Sequence, residues 1–195
     1  MNISEKVFDF YRIETFCMGA GVIPISTDES GKLHLLLGRE RWIPQWKGSC
    51  RWSGFEGSRK ADENVITSAT REFMEESMGV VRVTPQSSDT HRHNSVVLVR
   101  RLKLRLFWRR IVLRIQNDPE RYHCTYVVPV PWDPTVSERF QTLRSKVEHI
   151  DRIAQEFNYT RPACLGEFGE HIGDIEKRDD GTIFVTKMSS TAPCI

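Results

Sequence analysis

The spacing of apolar and polar residues along this chain changes rhythm several times, and each change marks an element. TFCMGAGVIPI (15–25) is an almost unbroken apolar run with small residues at its middle, the pattern of a buried strand. STDESGK (26–32) is rich in turn-forming residues, and LHLLLGRER (33–41) resumes as a strand, so the two strands are expected to form a hairpin. Residues 42–58 mix Trp, Gly and Pro, which suits an aromatic-lined loop or a short strand and disfavours a helix. After them Val65, Ile66, Ala69 and Phe73 form one apolar stripe of helical period. Asn64 fits the N-cap of that helix, and Gly79 a left-handed stop at its end. Residues 80–83 are expected to begin a strand, and 84–94 to form a polar loop.

From 95 to 115 the pattern reads as β. Leu102, Leu104 and Leu106 alternate with Arg101, Lys103 and Arg105, whereas Ile111, Leu113 and Ile115 are apolar at odd numbers. The flip predicts a bulge or tight turn at 107–110. HCTYVVPVPW (123–132) is a further strand, with Pro129 and Pro131 marking an edge or an exit. Val136, Phe140, Leu143, Val147, Ile150, Ile153 and Phe157 recur at threes and fours, which predicts a long amphipathic helix over 136–158. TIFVTKM (182–188) follows a DDG turn as a last strand. Strands, helix, strands, helix in this order predict an α/β or α+β mixed-sheet sandwich.

Composition narrows the classes of function. The 195 residues suit one domain, taken as 1–195 with a core at about 15–135 and the 136–158 helix packed on it. A formal net charge of +2 is too small to mark a general polyanion binder. The five cysteines include no CxxC pair and are odd in number, which favours reduced thiols over a disulfide framework or zinc cluster. No leader-like segment and no 18-residue apolar run is visible, so a cytoplasmic protein without membrane association is expected.

The chemistry lies in GSRKADENVITSATREFMEESMG (57–79). Glu72, Glu75 and Glu76 stand at i, i+3 and i+4, so they share a helix face other than the apolar stripe. Like charges at this spacing repel by a few tenths of a kcal/mol per pair, and by more when partly buried. An acidic helix face is most often solvated surface. Clustered carboxylates near a flexible Gly57, however, also suit a hard divalent cation that keeps water or phosphate among its ligands. Arg71 is placed to pair with one of the carboxylates and orient it.

The spacing resembles the Nudix box, G-x5-E-x7-R-E-U-x-E-E-x-G-U with U bulky and apolar, at Gly57, Glu63, Arg71, Glu72, Phe73, Glu75 and Glu76. Two departures stand out. Ser77 and Met78 separate the Glu pair from Gly79 where the common form has one residue, and the insertion is expected to lengthen the helix end. Glu56 occupies a position usually held by glycine, whose carbonyl reaches the metal. AGVIPI (20–25), LHLLLGRER and WSGFEGS (52–58) resemble the strands that precede such a box.

The resemblance implies a Nudix-type α/β/α sandwich with an additional C-terminal helix, and a hydrolase cleaving the pyrophosphate of a nucleoside diphosphate linked to another group. It implies Mg²⁺ or Mn²⁺ held by Glu72, Glu75 and Glu76, with Glu56 as a further ligand. Glu72 is then a ligand or the base that deprotonates water, Arg71 orients a carboxylate, and Glu63 steadies the loop–helix joint. Many members also use a Glu from a later loop; Glu138, Glu148, Glu167, Glu170 and Glu176 are the candidates here.

Other candidates are weighed against plainer roles. Arg39 and Arg41 end a strand near the expected pocket and are placed to meet phosphate, while Trp52 and Phe55, with Trp42 and Trp46, either stack on a base or fill the core. His91 and His93 would share one side of a strand, although an exposed loop pair is the plainer reading. The basic run around 100–110 is either a solvated strand face or a grip on RNA, which leaves an RNA-end processing enzyme as one alternative and a non-cleaving nucleotide sensor as another. The 136–158 stripe suits packing on the sheet or a homodimer interface.

Overall fold

Glycine and alanine at the middle of the first apolar run let three strands approach one another closely, and the sheet is built around it. In the computed structural model, residues 12–40, 42–45, 47, 49–85, 91–115, 118–156, 171–177 and 183–186 are described. β1 (Cys17–Thr27) and β2 (Leu33–Arg39) form the expected hairpin, with Ile25 opposite Leu35. Asp28 closes its turn: its carboxylate accepts from Ser30 N at 2.8 Å, Ser30 Oγ at 2.6 Å and Lys32 N at 2.9 Å. The 42–58 stretch contributes two short strands, β3 (Trp52–Ser53) on β2 and β4 (Phe55–Ser58) on β1.

α1 (Val65–Glu76) forms where its stripe required. Asn64 caps it by accepting from Thr67 N at 2.9 Å, and Val65, Ala69 and Phe73 are buried. The helix ends at Glu76, so the extra residue does not lengthen it as the sequence suggested. Ser77 caps the end, and two successive left-handed residues, Met78 (φ 53°) and Gly79 (φ 68°), absorb the insertion in the turn. A non-glycine residue in that region carries about 1 kcal/mol or more of strain.

Residues 80–83 are not a strand. Val80, Val81 and Val83 are buried, but helix side chains satisfy the backbone of this segment. Arg139 donates to Val80 O at 2.9 Å, Arg101 donates to Val83 O at 2.6 Å, and Val83 N donates to Asn94 Oδ1 at 3.3 Å. The strand expected from 95 onward is instead α2 (His91–Lys103). Asn94, Leu98 and Leu102, spaced by four, are its buried stripe, whereas Leu104 and Leu106 are 58% and 54% exposed. The alternation at 102–106 was therefore a helix end running into a turn. His91 and His93 fall in the first turn of α2, where residues two apart do not face each other.

β5 (Arg109–Ile115) and β6 (Asp118–Pro129) follow; the register flip expected at 107–110 rested on a strand that is a helix, and β5 simply starts at Arg109 after it. α3 (Val136–Glu156) matches the long stripe; 157 and 158 lie outside the described residues. β7 (His171–Lys177), which the sequence reading missed, pairs β2, and β8 (Ile183–Thr186) is the last expected strand. The described strands form one sheet in the order β5-β6-β1-β2-β7-β8, with β3 beside β2 and β4 beside β1. β1 and β6 are parallel and the other pairs antiparallel, so the sheet is mixed.

One buried cluster joins Ala20, Val22, Cys124, Tyr126 and Val128 of the sheet to Phe73 of α1, Leu98 of α2 and Phe140 of α3. A mixed sheet with packed helices is the α+β class the pattern predicted, and it is consistent with an α/β/α sandwich. Cys17, Cys50 and Cys124 are free thiols; Cys164 and Cys194 lie outside the described residues. No helix among the described residues is long and apolar enough to cross a membrane.

Candidate functional site

The carboxylates of the box divide into two groups, and Arg71 is the divider. Its Nε and Nη2 form a fork on Glu63, at 2.6 Å to Oε1 and 3.0 Å to Oε2. Its Nη1 lies 2.7 Å from Glu72 Oε1 and 3.1 Å from Glu75 Oε2, and Nη2 also donates to Ser58 O at 2.9 Å. One guanidinium thus ties the loop before α1 to two helix carboxylates, because Arg71 stands one residue from Glu72 and one turn from Glu75. Glu63 also accepts from Lys60 N at 3.1 Å, which ties it to the loop before α1 as well as to Arg71. Its hydrogen bonds from Arg71 hold Glu63 below the usual carboxylate range.

Glu72 lies flat against the α-carbon of Gly57. A Cβ at position 57 would sit 2.6 Å from the carboxyl carbon of Glu72 and 2.6 and 2.7 Å from its two oxygens. This contact gives a reason for glycine here that sequence alone does not supply. Burial raises the proton affinity of Glu72, against the opposing hydrogen bond from Arg71. Gly57→Ala is therefore expected to keep the sheet but displace Glu72, with a loss of at least about 10-fold in cation affinity, a loss of the size seen when outer-sphere contacts are removed. Titration calorimetry with Mn²⁺ checks it.

Glu76 belongs to the second group, and there Arg71 gives it no counter-charge. Burial first, then the charges of Glu40 and Glu72, push its carboxyl up to about 9; the Glu56 N–H that it accepts opposes the rise, and the Glu56 charge adds to it. Glu40 was not recognised from the sequence, which drew attention only to the flanking Arg39 and Arg41. Its carboxylate, just past β2, accepts from Ser53 Oγ at 2.8 Å. Glu56, from β4, accepts at one oxygen, Oε2, from Thr125 Oγ1 at 2.8 Å and His123 Nε2 at 2.9 Å. These bonds hold Glu56 below the usual carboxylate range although burial opposes them.

The remaining candidates fall elsewhere. Phe55 is buried and packs edge-on to Phe73 with ring centroids 5.6 Å apart, so it is core and does not stack on a ligand. Trp52 is half-buried beside Arg39, whose Nε donates to Cys50 O at 3.4 Å. Arg41 and Trp46 lie outside the described residues, as do Glu167 and Glu170. Glu148 pairs with Arg144 at 2.8 Å. Glu138 lines a cleft of about 420 Å³ between the turn after α1 and α3, with Met78, Arg139 and Lys146 on its walls; none of Glu40, Glu56, Glu72 and Glu76 lines it. Glu176 lies on β7 opposite His34.

The donor set at Glu40, Glu56, Glu72 and Glu76 is all carboxylate oxygen, which is what Mg²⁺ or Mn²⁺ takes. Among the described residues no three such side chains already stand grouped as a cage for an ion. The fit rests instead on the surplus of negative charge around Glu76, which a cation removes.

No protein-family model matches the chain, and no curated protein matches it. Solved structures do. A Nudix hydrolase from M. smegmatis, RenU, is similar at 12% identity and a TM-score of 0.37, over 60% of this chain and 62% of that one. A C. elegans Ap4A hydrolase in a binary complex is similar at 14% identity and a TM-score of 0.35, over 61% and 68% of the two chains. The NUDIX domain of Shewanella oneidensis NrtR, complexed with ADP ribose, is similar at 12% identity and a TM-score of 0.33, over 68% and 72%. This chain thus spans 62% of the length of the M. smegmatis protein. The reading of the site is carried by its own side chains.

Proposed function

We propose that this chain is a divalent-metal-dependent hydrolase of the Nudix type, cleaving the pyrophosphate linkage of a nucleoside diphosphate derivative. One observation carries the reading: half-buried Glu76 feels the negative charges of Glu40, Glu72 and Glu56, while Arg71 gives its bonds to Glu63, Glu72, Glu75 and Ser58. Folding that leaves such repulsion in place is explained by a ligand of opposite charge.

Glu72, Glu76 and Glu56 would hold Mg²⁺ or Mn²⁺, with Glu40 beside them. When bound, the metal neutralises diphosphate charge and lowers the pKa of coordinated water. The chain supplies the rest. Arg71 and Gly57 fix Glu72 in one orientation, either as a ligand or, in the alternative, as the general base, for which its raised proton affinity is the needed direction at neutral pH. Glu75, held on Arg71, steadies that arginine.

The test is a hydrolysis panel of dinucleoside polyphosphate, nucleotide sugar, nucleoside triphosphate and capped RNA with Mg²⁺ or Mn²⁺. Metal-dependent turnover of at least one is expected, and chelator should abolish it. The sensor reading draws on the absence of a closed cage among the described residues and on the shifted turn at Met78. Tight nucleotide binding without turnover would decide for it.

A further inference from the structure

Strands β4 and β6 both pair β1, one on each side, so they stand two strand spacings apart, roughly 10 Å. Side chains on strands so placed are normally separated by the side chain of the strand between. Here that residue is Gly21, whose partners are Glu56 on β4 and Thr125 on β6. Gly19, two residues earlier on the same face, pairs Ser58 and His123. Both glycines are filled by their neighbours. A Cβ on Gly21 would meet Glu56 Cβ at 2.1 Å and Phe55 O at 2.5 Å, and one on Gly19 would meet His123 Nδ1 at 2.7 Å. Across this gap Thr125 and His123 reach the same oxygen of Glu56, Oε2, at 2.8 and 2.9 Å.

We propose that Thr125 and His123 are positioning residues that hold Glu56 as a metal-binding carboxylate, through a gap in β1 that Gly19 and Gly21 leave open. The inference rests on the divalent-cation reading of the site and adds to it what replaces the glycine usual at position 56. Two donors on one oxygen fix the carboxylate plane and leave Oε1 without a share in those bonds. Glu56 also touches the box through its backbone, since its N–H is the hydrogen bond that Glu76 accepts. The strand therefore delivers a main-chain donor to one carboxylate and a carboxylate of its own from the same residue. Because Nε2 of His123 meets a carboxylate oxygen, which only accepts, Nε2 carries the proton and acts as the donor.

The probe is Mn²⁺ alone, titrated into the full chain and followed by the electron paramagnetic resonance of the free ion. Thr125→Val and His123→Ala should each weaken Mn²⁺ binding by about 10-fold, the size expected when a contact that orients a ligand is lost. His123→Gln, which keeps an N–H donor, should recover part of it. In a Glu56→Gln background neither change should weaken binding further, a coupling that a general packing defect would not produce. Thr125→Val is nearly isosteric, so it carries the test if His123→Ala folds poorly. Wild-type affinity in Thr125→Val and His123→Ala, with binding lost in Glu76→Gln, would overturn the inference and leave the metal site standing. Wild-type protein that binds no Mn²⁺ would overturn both.

Discussion

Glu76→Gln should remove hydrolysis and at the same time make the metal-free protein more stable at neutral pH. The two effects have one cause. With its carboxyl raised from 4.5 to about 9 by burial and by neighbouring carboxylates, Glu76 resists ionisation in the folded chain. The folded value lies above the unfolded one, so the folded state binds the extra proton. Its contribution is complete below pH 4.5 and is lost as pH rises toward about 9. By pH 7 the accumulated cost is at most about 3.5 kcal/mol, and glutamine does not incur it. Wild type and variant should therefore melt alike near pH 4 and diverge as pH rises, the variant being the more stable.

Glu63 and Asp133 lie below their ordinary values and pull the other way at low pH, but they are common to both proteins and cancel in the difference. Catalysis should fall by more than the 10- to 100-fold typical of an outer contact, roughly, because a ligand oxygen is lost. Thermal unfolding across pH 4 to 9, with and without Mg²⁺, reads both trends. Equal melting curves together with equal activity would remove Glu76 from the site.

Arg71→Ala should be the most destabilising single change in the box. It deletes the fork on Glu63 and the contacts to Glu72, Glu75 and Ser58 O, and leaves three carboxylates around an empty position. Breaking a half-buried charge network in this way costs about 3 kcal/mol, near the low end for a buried pair. For a chain of this length that is a fall of roughly 10 °C in melting temperature. Arg71→Lys should recover little, since an ammonium cannot bond Glu63 at two oxygens while reaching Glu72 and Glu75. Lysine that restored full stability would mean that the charge alone matters and the fork does not.

Much of this arrangement is legible in the chain because it is local. Asn64, the 65/69/73 stripe and the left-handed Gly79 define α1 within one span of sequence, and Glu72, Glu75 and Glu76 follow from helical spacing. Arg71 sits among its partners for the same reason. The failures are also physical. α2 was hidden because Leu102, Leu104 and Leu106 alternate like a strand, although only the first is buried, and the stripe that counts begins at a polar Asn94. Asn94 is buried because its amide satisfies Gly79 O and Val83 N, a partnership set by tertiary folding. Glu40 joins the site only because β2 ends beside β3, and the bridge from Glu56 to Thr125 and His123 spans 67 to 69 residues. The small residues of β1 were visible as a pattern; that two of them are a gap between Glu56 and β6 emerges only when three strands lie side by side.

The most direct measurement is the binding of Mn²⁺ to the wild-type chain at pH 8, followed by the resonance of the free ion and repeated with Glu76→Gln. The expected result is saturable binding, displaced by Mg²⁺, accompanied by a rise in melting temperature that is larger at pH 8 than at pH 5 and absent in Glu76→Gln. Equal, weak and unsaturable uptake by both proteins would contradict a metal held among these carboxylates.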